Sequence, residues 1–199
     1  MESNKQKPGM QMMKQPALSF EDKAVCSVHE FYLCGEIGDA EDYTEWFNKI
    51  RHTGPNDMIK IYINSPGGNL FTAIQFMSVM RDCKANIMAV AEGMCGSAAT
   101  IIFLMANQYE IAPNSMFLFH NYSAMVGGKG GEMFDQIKHE RAWNEKLLND
   151  VYTDFLSEKE IKAILENKDI WMSGLDVSER LAKRNKQIEK KNASNKKKA

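Results

Sequence analysis

The sequence is poor in the features that would place a chain in or across a membrane. It holds only four cysteines, Cys26, Cys34, Cys83 and Cys95, with no CxxC pair. They sit among Val, Leu, Met and Ala, which reads as buried reduced thiols and excludes a disulfide scaffold. No His or Cys pair has ligand spacing, so no zinc site is expected, and nothing points to any cofactor. No apolar run reaches the ~18 residues that a membrane span requires. Met1 to Gln15 is polar and lacks the apolar centre of a signal peptide, which predicts a cytoplasmic protein. The GxSxG elbow is missing, which disfavours an α/β-hydrolase. Net charge is also small, −1, but it hides an asymmetry. Residues 183 to 199 carry eight Lys or Arg and one acid, Glu189, leaving −8 for residues 1 to 182. Such a tail reads as solvated and disordered. It has no aromatic residue to stack on bases, so nucleic-acid binding is not expected.

At 199 residues the chain suggests one domain, large enough to bury roughly 70% of its unfolded surface without disulfide or metal. Residues 1 to 22, rich in Gln, Lys and Met, read as a flexible arm. Short apolar runs predict strands at 31–33, 59–63, 87–91, 109–112 and 116–119. Helix-like stretches at 40–51, 70–82 and 97–106 lie between the first four. This alternation predicts an α/β fold with largely parallel pairing. The 97–106 helix is apolar all round and belongs in the core. A long amphipathic helix is expected over 132–155, with an apolar stripe suited to another subunit. A second is expected over 157–167, where Ser157 and Glu160 form a capping box.

Four kinds of group suggest chemistry. Ser97 lies where a small-residue turn enters the buried helix, a place where a hydrolase can mount a nucleophile beside free backbone N–H groups. Taken alone it reads equally as a helix cap. Asn64-Ser65-Pro66-Gly67-Gly68 makes a sharp turn with bare backbone, or an ordinary turn. His120 ends an apolar run, and Asp169 precedes Ile170-Trp171-Met172-Ser173; each by itself could be structural. Together they supply what serine hydrolysis needs: nucleophile, imidazole, orienting carboxylate and oxyanion donors.

The combination of Ile63-Asn64-Ser65-Pro66-Gly67-Gly68, Gly93-Met94-Cys95-Gly96-Ser97, Pro113-Asn114-Ser115 with His120, and Lys168-Asp169 before an aromatic-Met-Ser run resembles ClpP. That family comprises the self-compartmentalised serine proteases of the ClpP/crotonase superfamily. The resemblance covers about residues 28 to 173. It implies a ClpP/crotonase-like core of repeated βαβ units in a spiral, within a protease domain over 23–182. It implies Ser97 as nucleophile, His120 as general base and then acid, Asp169 as orienter, and the N–H groups of Gly68 and Ala98 as the oxyanion hole. It also implies a protruding handle over 123–165, a long helix plus a Gly-rich strand, that interlocks two heptameric rings. Gly127 and Gly128 would then pair with substrate as an added strand, with Gly67 nearby. The stretch is not a P-loop, since no Ser or Thr follows Lys129.

The sequence departs from the family in four places. The link from His120 to the Gly pair is long, and the loop before Pro113 is slightly short. The N-terminal region lacks the axial-loop sequence. After Ser173 the usual closing helix and Tyr-Gly-Leu-Ile-Asp strand are missing. The last two departures bear on docking to a Clp-type ATPase unfoldase, not on the chemistry. A compact chain with a Lys-rich tail also resembles ClpP-like proteases of bacteriophages. The reading is therefore a serine endopeptidase acting on unfolded polypeptide in a homo-oligomeric chamber. Two alternatives stand beside it: a crotonase-like enzyme acting on acyl-CoA thioesters, and a catalytically silent assembly subunit.

Overall fold

A computed structural model describes residues 26–196. The expected N-terminal arm, 1 to 22, and the last three residues of the tail lie outside that range. Six strands form one sheet: β1 (Val28–Cys34), β2 (Met58–Ser65), β3 (Asn86–Gly96), β4 (Gln108–Ile111), β5 (Met116–Phe119) and β6 (Ile170–Ser173). Their order is β1-β2-β3-β5-β6, with β4 also on β3. All pairs are parallel except β5 with β6. The helices are α1 (Thr44–His52), α2 (Leu70–Asp82), α3 (Ala98–Leu104), α4 (Gly130–Tyr152), α5 (Glu158–Leu165) and α6 (Gly174–Lys196). A 3-10 turn, Ala40–Tyr43, leads into α1. The architecture is thus α/β, with helices supplying the crossovers that parallel strands require.

Burial follows strand alternation. Ile59, Ile61 and Ile63 of β2 and Ile87, Ala89 and Ala91 of β3 are sealed from solvent. They share one core with Phe76 of α2 and every residue of α3 except Thr100. β3 serves two neighbours along one edge. Met88–Ala91 pairs with β4, and Met94–Gly96 pairs with β5. That division brings the end of β5, and so His120, beside the end of β3, and so Ser97.

Predicted α2 matches its observed limits. Asn69 starts it by accepting hydrogen bonds from the Phe71 and Thr72 N–H groups. The Ser157–Glu160 capping box is formed at α5. Three expectations need correction. β6 was not anticipated; its four residues give too little periodicity, and its pairing with β5 is long-range. Gly127–Lys129 form no strand, and Gly130 and Gly131 open α4. A long helix, α4, occupies the expected stretch, but no strand accompanies it: an extended glycine run with no partner leaves its backbone groups unpaired. Finally, the chain after Ser173 does close in a helix. Ser173 and Asp176 cap its first turn reciprocally, with the Ser173 N–H donating to Asp176 at 2.9 Å and the Asp176 N–H donating to Ser173 at 3.2 Å. The Lys-rich segment, expected to be disordered, continues this helix to Lys196, since Lys, Arg, Gln, Glu and Ala are all good helix formers.

Candidate active site

Ser97 occupies the single residue between β3 and α3. Its backbone is left-handed, φ 51° and ψ −127°. Among the described residues only Asn167 shares a positive φ without being glycine. Such a conformation costs about 1–3 kcal/mol and persists only where the surroundings impose it. They do so here. The Ser97 N–H donates to the Leu118 carbonyl at 2.8 Å, and the Thr100 N–H donates to the Ser97 carbonyl at 2.9 Å. The Thr100 hydroxyl donates to that same carbonyl at 2.7 Å. Every residue of α3 is buried. The Ser97 side chain makes no capping hydrogen bond, so its hydroxyl is not engaged as a cap.

Thr100 has one hydroxyl hydrogen, and the Ser97 carbonyl takes it. The 2.7 Å contact between Thr100 Oγ1 and the Tyr152 hydroxyl must therefore have Tyr152 as donor. A chain of two oriented hydroxyls thus runs from the end of α4 to the backbone of Ser97. Burial pushes the Tyr152 phenol up from its ordinary range, and likewise the Cys95 thiol. Both stay neutral behind the corner.

The Gly67-Gly68 turn packs against Ser97 from the other side. The Ile37 N–H donates to the Gly67 carbonyl at 2.7 Å, and the Asn69 N–H donates to the Ile37 carbonyl at 2.8 Å. The Gly67 N–H is taken by Ser65 Oγ at 3.1 Å. The Gly68 N–H between these bonds donates to nothing among the described residues. A Cβ on Gly67 would lie 2.5 Å from that of Ser97, and one on Gly68 would strike the Ile37 carbonyl oxygen. With φ of 108° and 141°, both positions admit glycine alone without strain. Ala98 opens α3, and a first-turn N–H has no intrahelical acceptor.

Ser97, Gly68, Ala98 and His120 line one cavity of about 510 Å³. Its apolar wall includes Ile101 and Leu147, and the rings of Phe71 and Trp143, stacked with centroids 5.7 Å apart. Tyr122 to Ala124 close another side, with Glu140 and Asn144 of α4. Of the residues singled out from sequence, these four are brought together. Asp169 is exposed, lines neither this cavity nor the one beside it lined by Asn121 and Asn167, and its carboxylate makes no hydrogen bond among the described residues. Ser97 and His120 are not hydrogen-bonded to each other. The antiparallel register nonetheless relates His120 to Asp169. The last β5–β6 pair is Phe119 with Ile170, and one step further along that register His120 comes opposite Asp169. Gly127 and Gly128 are exposed and line neither cavity. Sequence reasoning missed Thr100 and Tyr152. A Thr three residues after the serine was the available signal, since such side chains bond back to the preceding turn.

Among the described residues no group of three or more His, Cys, Asp or Glu could hold a metal ion. No helix among them is long and apolar enough to cross a membrane.

A family model for Clp protease matches residues 26–180. The chain belongs to the Clp protease family. It is a divergent member. A Treponema denticola relative, ATP-dependent Clp protease proteolytic subunit 2, is 26% identical over 174 residues, covering 83% of this chain and 87% of its own. Proteolytic subunit 1 of Salinibacter ruber is 28% identical over 134 residues, 65% of this chain and 57% of that one. The chloroplastic proteolytic subunit 3 of Arabidopsis thaliana is 28% identical over 97 residues, 48% of this chain and 31% of that one. The match thus spans less than two thirds of the length of the last two Clp protease relatives.

Proposed function

We propose that the chain is a serine endopeptidase that cleaves unfolded polypeptide inside a ring of its own copies. Ser97 Oγ attacks the scissile carbonyl while His120 takes its proton. Asp169 orients the imidazole and offsets its positive charge. The N–H groups of Gly68 and Ala98 receive the developing oxyanion. His120 then protonates the leaving amine, and water releases the acyl group from Ser97 by the same path reversed.

The observation that carries this reading is the Ser97 corner. A strained serine, its hydroxyl free of capping, opens on a cavity shared with His120 and two backbone donors that have no acceptor among the described residues. Family membership supports it independently. Apo catalytic hydrogen bonds are often long and tighten only with substrate, so the open spacing from Ser97 to His120 is consistent with a resting site. On this reading Gly67 borders the reacting carbonyl, and Gly127 and Gly128, which form no strand here, would have to extend before a substrate strand could pair with them. The printed names of the relatives include ATP dependence. Any such requirement would fall to a separate Clp-type unfoldase, since the proposed hydrolysis consumes no nucleotide.

The test is to incubate purified chain with a fluorophosphonate probe and a short fluorogenic peptide, and to measure its mass in solution by light scattering. We expect labelling at Ser97, cleavage, and a multi-subunit mass. An unlabelled Ser97 would return the reading to an acyl-CoA enzyme or a silent subunit, and a stable monomer would rule out the chamber.

A further inference from the structure

We propose that the side chains of Asn144, Asn121 and Asn167 form a clamp that sets the separation of His120 from Asp169. The proposal rests on the serine-peptidase reading above.

The β5–β6 ladder ends at Phe119 and Ile170. Beyond it no backbone hydrogen bond joins the two segments. One residue past His120, the Asn121 amide nitrogen donates to Asn167 Oδ1 at 2.8 Å. His120 and Asp169 are therefore bracketed, by the last ladder pair on one side and by this side-chain bond on the other.

The amide orientation follows from its partners. The Tyr122 N–H donates to the Asn121 side-chain oxygen at 3.0 Å, and an N–H can only donate. That oxygen also accepts from Asn144 Nδ2 at 2.8 Å. Asn144 belongs to α4 and is 2% exposed. Asn121 is thus fixed by a buried residue on one side, and it reaches across to the Asp169 turn with its only remaining donor group.

Asn167 itself has φ 62°. Glycine would satisfy that backbone equally well. Only Asn or Asp tolerates it and also offers an acceptor to Asn121. These are positioning residues: none is required to touch substrate, and each acts through His120 and Asp169.

The variants Asn167→Gly and Asn167→Asp separate backbone from side chain. The first keeps the left-handed turn and deletes the acceptor; the second keeps both. With the fluorogenic peptide, N167G should lose kcat about tenfold at unchanged KM, less than the ~100-fold that a misplacement of about 1 Å can cause. N167D should retain kcat close to wild type, and thermal melting should show both variants folded. An N167G variant with wild-type kcat overturns the clamp, as does an N167D variant as slow as N167G. A wild-type chain that neither cleaves nor is labelled at Ser97 overturns the peptidase reading, and the clamp with it. Normal wild-type turnover with an unaffected N167G overturns the clamp alone.

Discussion

The two halves of the site are held by different means. Around Ser97 the restraints are backbone hydrogen bonds, a fully buried helix and glycines with no room for a Cβ. Around His120 and Asp169 they are a four-residue strand pair and side-chain amides, and residues 120 to 129 lie in no helix or strand. The contrast assigns strain to one half and adjustability to the other. An oxyanion site gains from donors that do not reorganise during reaction. On the proposed reading, a base and its orienter held this way would close on the nucleophile when substrate or a neighbouring subunit arrives.

The comparison can be broken most severely at the rigid half. Ser97→Ala should lower peptide turnover by roughly a millionfold, the loss typical of deleting a serine nucleophile, while circular dichroism shows the fold intact. Appreciable residual turnover would remove Ser97 from the chemistry. Gly68→Ala should cost about a hundredfold or more in kcat, because the added Cβ strikes the Ile37 carbonyl and would displace the proposed oxyanion donor. An active, equally stable G68A would show that this turn is not rigid.

Tyr152→Phe tests the hydroxyl chain behind Ser97. It leaves Thr100 Oγ1 without its donor, a loss of about 1 kcal/mol. The melting temperature should fall by roughly 3 °C, with a severalfold loss of kcat; an unchanged kcat would mean that the corner holds without α4.

The smallest effect is expected at Glu160, outside the cavity. The Arg180 guanidinium holds its carboxyl down to about 2, from an ordinary 4.5. A depressed carboxyl stabilises the fold above its unfolded value and loses that contribution as pH falls. Urea midpoints should therefore decline from about pH 4.5 toward pH 2 more steeply in the wild type than in Arg180→Met. Parallel declines would show that this ion pair contributes nothing.

What the sequence disclosed follows the same division. Ser97 adjoins the helix behind it, the glycine turn directly follows β2, and the apolar runs of β2, β3 and α3 are unambiguous; local pattern sufficed. The second half depends on segments far apart in sequence. Strand β6 is too short to announce itself, and Asn121, Asn144 and Asn167 look like ordinary surface asparagines until the fold gathers them. The Gly127–Gly131 stretch misled in the opposite direction: composition says that it can extend but not what it would pair with. The closing helix is hard to see in the sequence because its start signal, Ser173 with Asp176, follows a strand too short to recognise.

The bond between Glu160 and Arg180 has a consequence beyond charge. It is bidentate, at 2.7 and 3.0 Å, and it joins α5 to α6, twenty positions apart. Strand β6 and the turn bearing Asp169 lie between these two helices. The pair therefore closes that stretch into a loop, as a reversible crosslink would. Closing a loop removes conformations from the chain within it, so the turn bearing Asp169 is confined even though its carboxylate makes no hydrogen bond among the described residues. Opening the clasp by acid would return those conformations to the turn while the covalent chain and the nucleophile corner stayed as they were.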